Sequence, residues 1–413
     1  MAYSKVVENF LRYVKIDTQS SEACTDKVPS TEKQHNLAKM LYQELSDMFL
    51  ECAYHTEHCY IYAVIPSNIQ EEVPAIGFIA HMDTSDAVSG SNVQPRIIEQ
   101  YHGEDIVLNE EKQIVTRVTD FPCLKNYTGK SLIVTDGNTL LGADDKAGVA
   151  EIMALAEFLV SHPDFKHGKI YIGFTPDEEV GNGVEFFDRK EFKADYAYTI
   201  DGGKLGEMSY ECFNAASAKI TAAGKSVHPG TAKNIMRNAM KMLYEFHAQI
   251  PNECPENTEG YQGFYHLTDM QGTVDKAAAE YIIRDHDRQK FEERKELFRR
   301  TVDNLNQKYG ENVFRLELKD SYYNMREIIE KEMHIVDNAV QAMKQAGVVP
   351  QIEPIRGGTD GARLSFAGLP CPNICTGSEA HHGRHEFACI EDMETVVEIL
   401  KNLVKIYANS NAL

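Results

Sequence analysis

The chain has 413 residues, 43% hydrophobic and 25% charged, enough for two domains with proper cores and ordinary for a globular protein. Its 63 acidic and 42 basic residues leave a formal charge of −21, which argues against nucleic acid or an anionic membrane surface as partner. No apolar run reaches the length of a bilayer span, the start of the chain is amphipathic, and the nine cysteines include no Cys-x-x-Cys, so a cytoplasmic, reducing setting is expected.

The apolar spacing of Val6, Val7, Phe10, Leu11 and Val14 predicts a first helix over 4–16. A polar loop comes next. The stretch Thr31-Glu32-Lys33-Gln34 fits a capping box and predicts a second helix running to about residue 49. Strands are expected at 60–65, 75–80, 131–135, 169–174 and 196–200; these are near-continuous apolar runs, as in strands covered on both faces. Segment 85–130 is polar and irregular, with small extra strands expected in it. A helix is expected at 146–160. Strands alternating with helices predict an α/β layered sandwich. From about residue 210 the pattern alternates instead, at 218–221, 281–284 and 313–318, with helices expected at 233–250 and 288–308. That predicts an inserted α+β domain over 210–325, between catalytic segments 1–209 and 326–413. The last segment should carry a helix at 326–346, a glycine-rich turn, a short strand at 372–375 and a helix at 392–407.

The chemistry lies at the ends of the buried strands. Residues 75–80 lead to His81-Met82-Asp83, and 131–135 to Asp144-Asp145. Residues 169–174 lead to Asp177-Glu178-Glu179, 196–200 to Asp201-Gly202-Gly203, and 372–375 to His381-His382-Gly383. Alone, each has a plain explanation: Asp144-Asp145 would cap a helix, Glu178-Glu179 would be a solvated turn, and His81 a satisfied core histidine. Together they bring acids and imidazoles to the carboxyl edge of what reads as one sheet, where ligands bind in α/β folds. So many carboxylates repel one another unless cations compensate. The donors are nitrogen and oxygen without thiolate, which suits Zn²⁺, Co²⁺ or Mn²⁺. His81 and Asp83, two apart on an extended segment, share a face, so Asp83 can orient the imidazole. Glu178 and Glu179 diverge, leaving one to bind metal and the other to act as base.

These motifs resemble the M20 metallopeptidases over nearly the whole chain. The stretches Lys225-Ser226-Val227-His228-Pro229-Gly230, Tyr281-Ile282-Ile283-Arg284-Asp285 and Arg356-Gly357-Gly358-Thr359-Asp360-Gly361 resemble the cytoplasmic tripeptide aminopeptidases of that family. The resemblance implies a zinc-peptidase-like three-layer α/β sandwich whose inserted domain serves as lid and dimer contact. It also implies two Zn²⁺ per subunit, with Co²⁺ or Mn²⁺ as substitutes. Asp144 would bridge the metals, with His81 and Asp201 completing one site and Glu179 and His382 the other. The Asp144–Asp145 peptide would be cis. Glu178 would be the general base and Asp83 would orient His81. His228, from the partner subunit of a homodimer, would stabilise the oxyanion. Arg284 and Arg356 are candidates for the substrate carboxylate, although each could equally make a structural ion pair. His382, immediately before Gly383, matches the ligand position better than His381; His381 and His385 carry no assigned role. The expected substrates are short peptides, mainly tripeptides. The alternatives are an M20 hydrolase of other specificity (an N-acyl amino acid hydrolase or a carboxypeptidase) and a non-catalytic metal-binding protein, in which a free carboxylate beside the ligands would have no clear purpose.

Overall fold

The computed structural model describes residues 3–409, in two compact units. The first comprises residues up to Tyr210, Glu327–Glu353 and the stretch from Thr359. Its main sheet has eight strands, in the spatial order Glu51–His55, Tyr60–Ile65, Ile170–Thr175, Ile76–His81, Tyr196–Ile200, Asn373–Ile374, Glu207–Ser209 and Gln351–Ile352. Ile76–His81 lies centrally, parallel to Ile170–Thr175 and Tyr196–Ile200, and every residue of it is buried. Its side chains alternate between two covered faces. On one, Phe78 stacks with Tyr198, whose hydroxyl donates to the Ile335 carbonyl and bonds Tyr407 of the last helix. On the other, Ile79 packs with Tyr60, Tyr62, Phe192 and Leu364.

Helix Ala143–Ser161 packs on this sheet and against helices Lys5–Tyr13 and Ile390–Ala408. It lies so close that a Cβ on Gly148 would fall on the Ile200 carbonyl oxygen. Replacing Gly148 by alanine should therefore destabilise the protein by about 1–3 kcal/mol, the usual cost of overpacking, read as a lower Tm. An unchanged Tm would show that the helix can move away from the sheet.

The structure corrects the single-sheet expectation. Leu132–Val134 belongs to a separate four-stranded antiparallel sheet with Arg96–Ile98, Phe387–Cys389 and Ser378–Glu379. A three-residue apolar strand buries equally well in either sheet, so its sequence does not specify the partner. Segment 85–130 contributes Arg96–Ile98, the hairpin of Ile106–Asn109 with Ile114–Thr116, and the 3₁₀ helix Pro122–Tyr127. The second helix spans Gln34–Asp47 without a side-chain cap. Thr31 donates instead to the Gln19 carbonyl at 2.6 Å, and Gln34 to Asp177 at 2.6 Å. The expected helix at 326–346 is divided into Arg326–Ile329 and His334–Gln345.

The second unit comprises Glu211–Arg326 and Pro354–Gly358. Its antiparallel sheet runs in the order Phe264–Gly272, Lys276–Asp285, Asn214–Ala223, Phe314–Tyr322. Helices Ala239–His247 and Arg288–Tyr309 bury Phe246 and Phe298 against Ile220 and Tyr281. The expected helix at 233–250 starts later because Asn238 caps it, accepting from Met240 N and Lys241 N, while Arg237 pairs with Lys225 in a β-bridge. Strand Phe264–Gly272 escapes the sequence pattern because it is an edge strand with an exposed second half.

His286 in this unit is 6% exposed and stacks on Phe213, and neither ring nitrogen has a hydrogen-bond partner among the described residues. Burial, with Arg356 adding to it and Asp285 opposing, lowers its pKa to about 4. The folded chain therefore keeps this imidazole neutral at pH values where the unfolded chain, titrating near ~6.5, binds a proton. Its contribution to stability should fall as the pH drops from about 6.5 towards 4, by up to about 3 kcal/mol, and then level off. Denaturant titrations across that window, compared with His286→Phe, check this; identical pH slopes would contradict it.

Candidate metal centre

Three strands of the main sheet deliver donors to one edge. His81 ends Ile76–His81, Glu178 and Glu179 follow Ile170–Thr175, and Asp201 follows Tyr196–Ile200. Asp144 comes from the start of helix Ala143–Ser161, and His382 from the loop between Ser378–Glu379 and Phe387–Cys389. His81 Nε2 lies 2.9 Å from Asp144 Oδ1 and 3.6 Å from Asp201 Oδ1. His382 Nε2 lies 3.0 Å from Asp144 Oδ2 and 3.0 Å from Glu179 Oε2. Two donor triads result, His81–Asp144–Asp201 and Asp144–Glu179–His382, each with its donor atoms within 4.8 Å of one another. Asp144 belongs to both, presenting one oxygen to each histidine.

The surroundings fix these groups. His81 Nδ1 faces Asp83, 3.1 Å from its carbonyl and 3.3 Å from its carboxylate. The same carboxylate accepts from Glu178 N at 3.0 Å and Glu179 N at 3.3 Å, so Asp83 orients the imidazole and holds the glutamate loop as well. Glu179 Oε1 accepts from Ser85 N at 3.0 Å. The Asp144–Asp145 peptide is cis. Asp145 belongs to neither triad: it caps the helix through Gly148 N at 3.2 Å and accepts from His81 N at 3.1 Å.

Three further residues build this framework; sequence names Asp177 and His381 without a role and misses Glu386. Glu386, 1% exposed, accepts from Leu141 N, Gly142 N and Asp144 N at 2.7–2.9 Å, and so shapes the turn that presents Asp144. In sequence it is one more acid in a charged loop. Asp177 has a φ of 52° and takes hydrogen bonds from Ser30 and Gln34, tying the glutamate loop to the second helix. Its place in Asp177-Glu178-Glu179 is the only signal. His381 bonds Ser378 through Nε2 at 2.9 Å, with Nδ1 3.7 Å from Asp144 Oδ2.

The electrostatics are those of a cation site. The carboxylates of Asp144, Asp201 and Asp83 push the His81 pKa well up against the opposing effect of burial. Hydrogen bonds to Asp144 and Glu179 raise His382 to about 11. Burial, then the charge of Asp144, lifts Glu179 to about 7. Burial, then Asp201, Asp360 and Glu179, pushes Glu178 well up. Charge in such a crowded, desolvated cluster calls for cationic compensation. The nitrogen–oxygen donor set fits borderline divalent ions, and a carboxylate shared by two triads suits a two-ion centre.

The remaining candidates lie in the second unit. His228 is exposed, its Nδ1 accepting from Gly230 N at 3.1 Å. Arg356 donates to the carbonyls of Gly260, Gln262 and Thr258 and to the Thr258 hydroxyl at 2.6–3.3 Å, so its guanidinium pins loop 258–262. Arg284 donates to the Arg356 carbonyl at 3.1 Å, and its buried Nε has no partner among the described residues.

Residues 210–312 match the M20 peptidase dimerisation domain. A peptidase T from Alkaliphilus oremlandii is 53% identical over 98% of this chain and 99% of its own length. Among solved structures, a Staphylococcus aureus tripeptidase superposes with a TM-score of 0.79 at 20% identity, covering 98% of each chain. A dinuclear metal-binding peptidase of the M20 family from Bacillus subtilis does so with a TM-score of 0.64 at 13% identity over 97% of each. The strand ends of this α/β sandwich converge on two triads with one shared aspartate, on a fold like that of the M20 metallopeptidases. Within that class the chain belongs to the peptidase T family of metallo-aminopeptidases.

Proposed function

We propose that this chain hydrolyses the first peptide bond of tripeptides, releasing the N-terminal residue. The observation that carries the reading is Asp144 shared between the two triads, with Glu178 beside them and a member of neither. His81, Asp144 and Asp201 would hold one Zn²⁺, and Asp144, Glu179 and His382 the other; Co²⁺ or Mn²⁺ would substitute. When bound, such ions acidify water and withdraw electrons from a carbonyl oxygen. Glu178 takes the proton of the attacking water and passes it to the departing amine. Burial, then the charge of Asp201, raises its proton affinity, which suits a group that receives a proton. Asp83 keeps His81 oriented and the Glu178 backbone in place.

The family resemblance supports a role for His228, from the second subunit of a homodimer, in offsetting oxyanion charge. It also supports Arg284 and Arg356 as readers of the substrate carboxylate, and the second unit as lid and dimer contact. Arg284, whose buried Nε has no partner among the described residues, has more donor capacity left for a carboxylate than Arg356, whose donors already hold a loop. No helix among the described residues is long and apolar enough to cross a membrane.

A panel of di-, tri- and tetrapeptides with N-acyl amino acids, assayed with added Zn²⁺, Co²⁺ or Mn²⁺, tests the reading. Tripeptides with a free amine should be cleaved fastest, and only at the first bond. Preferential release of the C-terminal residue, or of an acyl group, would replace this function with that of another M20 hydrolase.

A further inference from the structure

The loop over residues 175–183 carries Asp177, Glu178 and Glu179. Its middle is held by Asp83 and by Ser30 and Gln34. Its two ends meet a further carboxylate, Asp360, which belongs to neither triad. Asp360 opens helix Asp360–Phe366 and is 4% exposed. On one side Thr175 Oγ1 donates to Asp360 Oδ2 at 2.8 Å. On the other, Gly183 lies against the same carboxylate so closely that a Cβ there would overlap it. Two neighbours reinforce the grip: Tyr60 donates its hydroxyl hydrogen to the Gly183 carbonyl at 3.0 Å, and Arg363 of the same helix donates to the Gly181 carbonyl.

A buried carboxylate is a costly way to fill space, since an apolar residue would pack without losing hydration. Its placement at both the entry and the exit of one loop gives it a use that packing does not. We propose that Asp360 is a positioning residue: it clamps Thr175 and Gly183, and thereby holds Glu178 within reach of the attacking water. Asp360 itself belongs to neither donor triad. This rests on Glu178 being the base. A displacement of roughly 1 Å at a reacting group costs about 100-fold in rate, so a small relaxation of the loop suffices to be seen.

The test compares Asp360→Ala, Thr175→Val and Thr175→Ser, alone and with Glu178→Ala. It measures kcat, KM, bound metal and Tm on a tripeptide. Asp360→Ala and Thr175→Val should each lower kcat by about 10- to 100-fold, with KM within about twofold and metal content unchanged. Thr175→Ser, which restores the hydroxyl, should recover most of the loss. The Asp360→Ala/Thr175→Val pair should lose no more than its worse single variant. In the Glu178→Ala background Asp360→Ala should cost nothing further. The clamp is refuted by wild-type kcat in Asp360→Ala, by losses that follow metal content, by additive losses in the pair, or by equal losses in Thr175→Ser and Thr175→Val. Full activity of Glu178→Ala would instead remove the base itself, so the two failures are distinguishable.

Discussion

Glu178→Ala is expected to bind its metals normally and to lose kcat by about 10²–10⁴-fold, the usual contribution of a general base. Metal should stay because Glu178 belongs to neither triad: the donors are His81, Asp144, Asp201, Glu179 and His382. The fold should stay because the loop is anchored by its backbone, through Asp83, and by Asp177, through Ser30 and Gln34. What goes is a carboxylate beside the triads that belongs to neither. Burial, then Asp201, raises its proton affinity above that of an ordinary surface glutamate. KM should change little, since the lost interaction belongs to the transition state. Steady-state kinetics with metal analysis of the same sample decide the matter; wild-type turnover with full metal would remove the base from the mechanism.

Asp144→Ala should have the larger effect, because one side chain serves both triads. Its Oδ1 faces His81 at 2.9 Å and its Oδ2 faces His382 at 3.0 Å. Asp201→Ala should weaken one ion and Glu179→Ala the other, whereas Asp144→Ala should weaken both. Activity should fall by about 10⁴-fold or more, as expected when several kcal/mol of metal-derived stabilisation is lost. Stability offers a second readout. A ligand at 100 times its Kd stabilises the folded chain by about 2.7 kcal/mol, so added Zn²⁺ should raise the wild-type Tm. Asp144→Ala should show almost none of that rise, and the two single-triad variants an intermediate one. Equal metal-induced shifts in all three variants would refute a shared bridge.

The donors are legible in the sequence because each follows a buried strand or opens a buried helix, and a run such as Ile76-Gly77-Phe78-Ile79-Ala80 announces its end. The routes by which they converge are less so. Leu132–Val134 is too short for its sequence to select a sheet, so the pattern puts Asp144 in the right place by the wrong strand. Thr31-Glu32-Lys33-Gln34 has the form of a capping box, but Gln34 turns instead to Asp177, a tertiary hydrogen bond displacing a local one. Glu386 and Asp360 are invisible as framework because they act on backbone and hydroxyl groups distant in sequence, Leu141, Gly142, Asp144 and Thr175. A lone acid carries no periodic signal. The second unit shows the same limit: its core strands alternate clearly, whereas the exposed edge strand Phe264–Gly272 does not.

The most direct test of a two-ion centre bridged by Asp144 is an anomalous difference map from crystals soaked in Zn²⁺, collected at the zinc edge. Two peaks should flank the Asp144 carboxylate, one beside His81 and Asp201, the other beside Glu179 and His382. A single peak, or ions bound away from Asp144, would contradict the account.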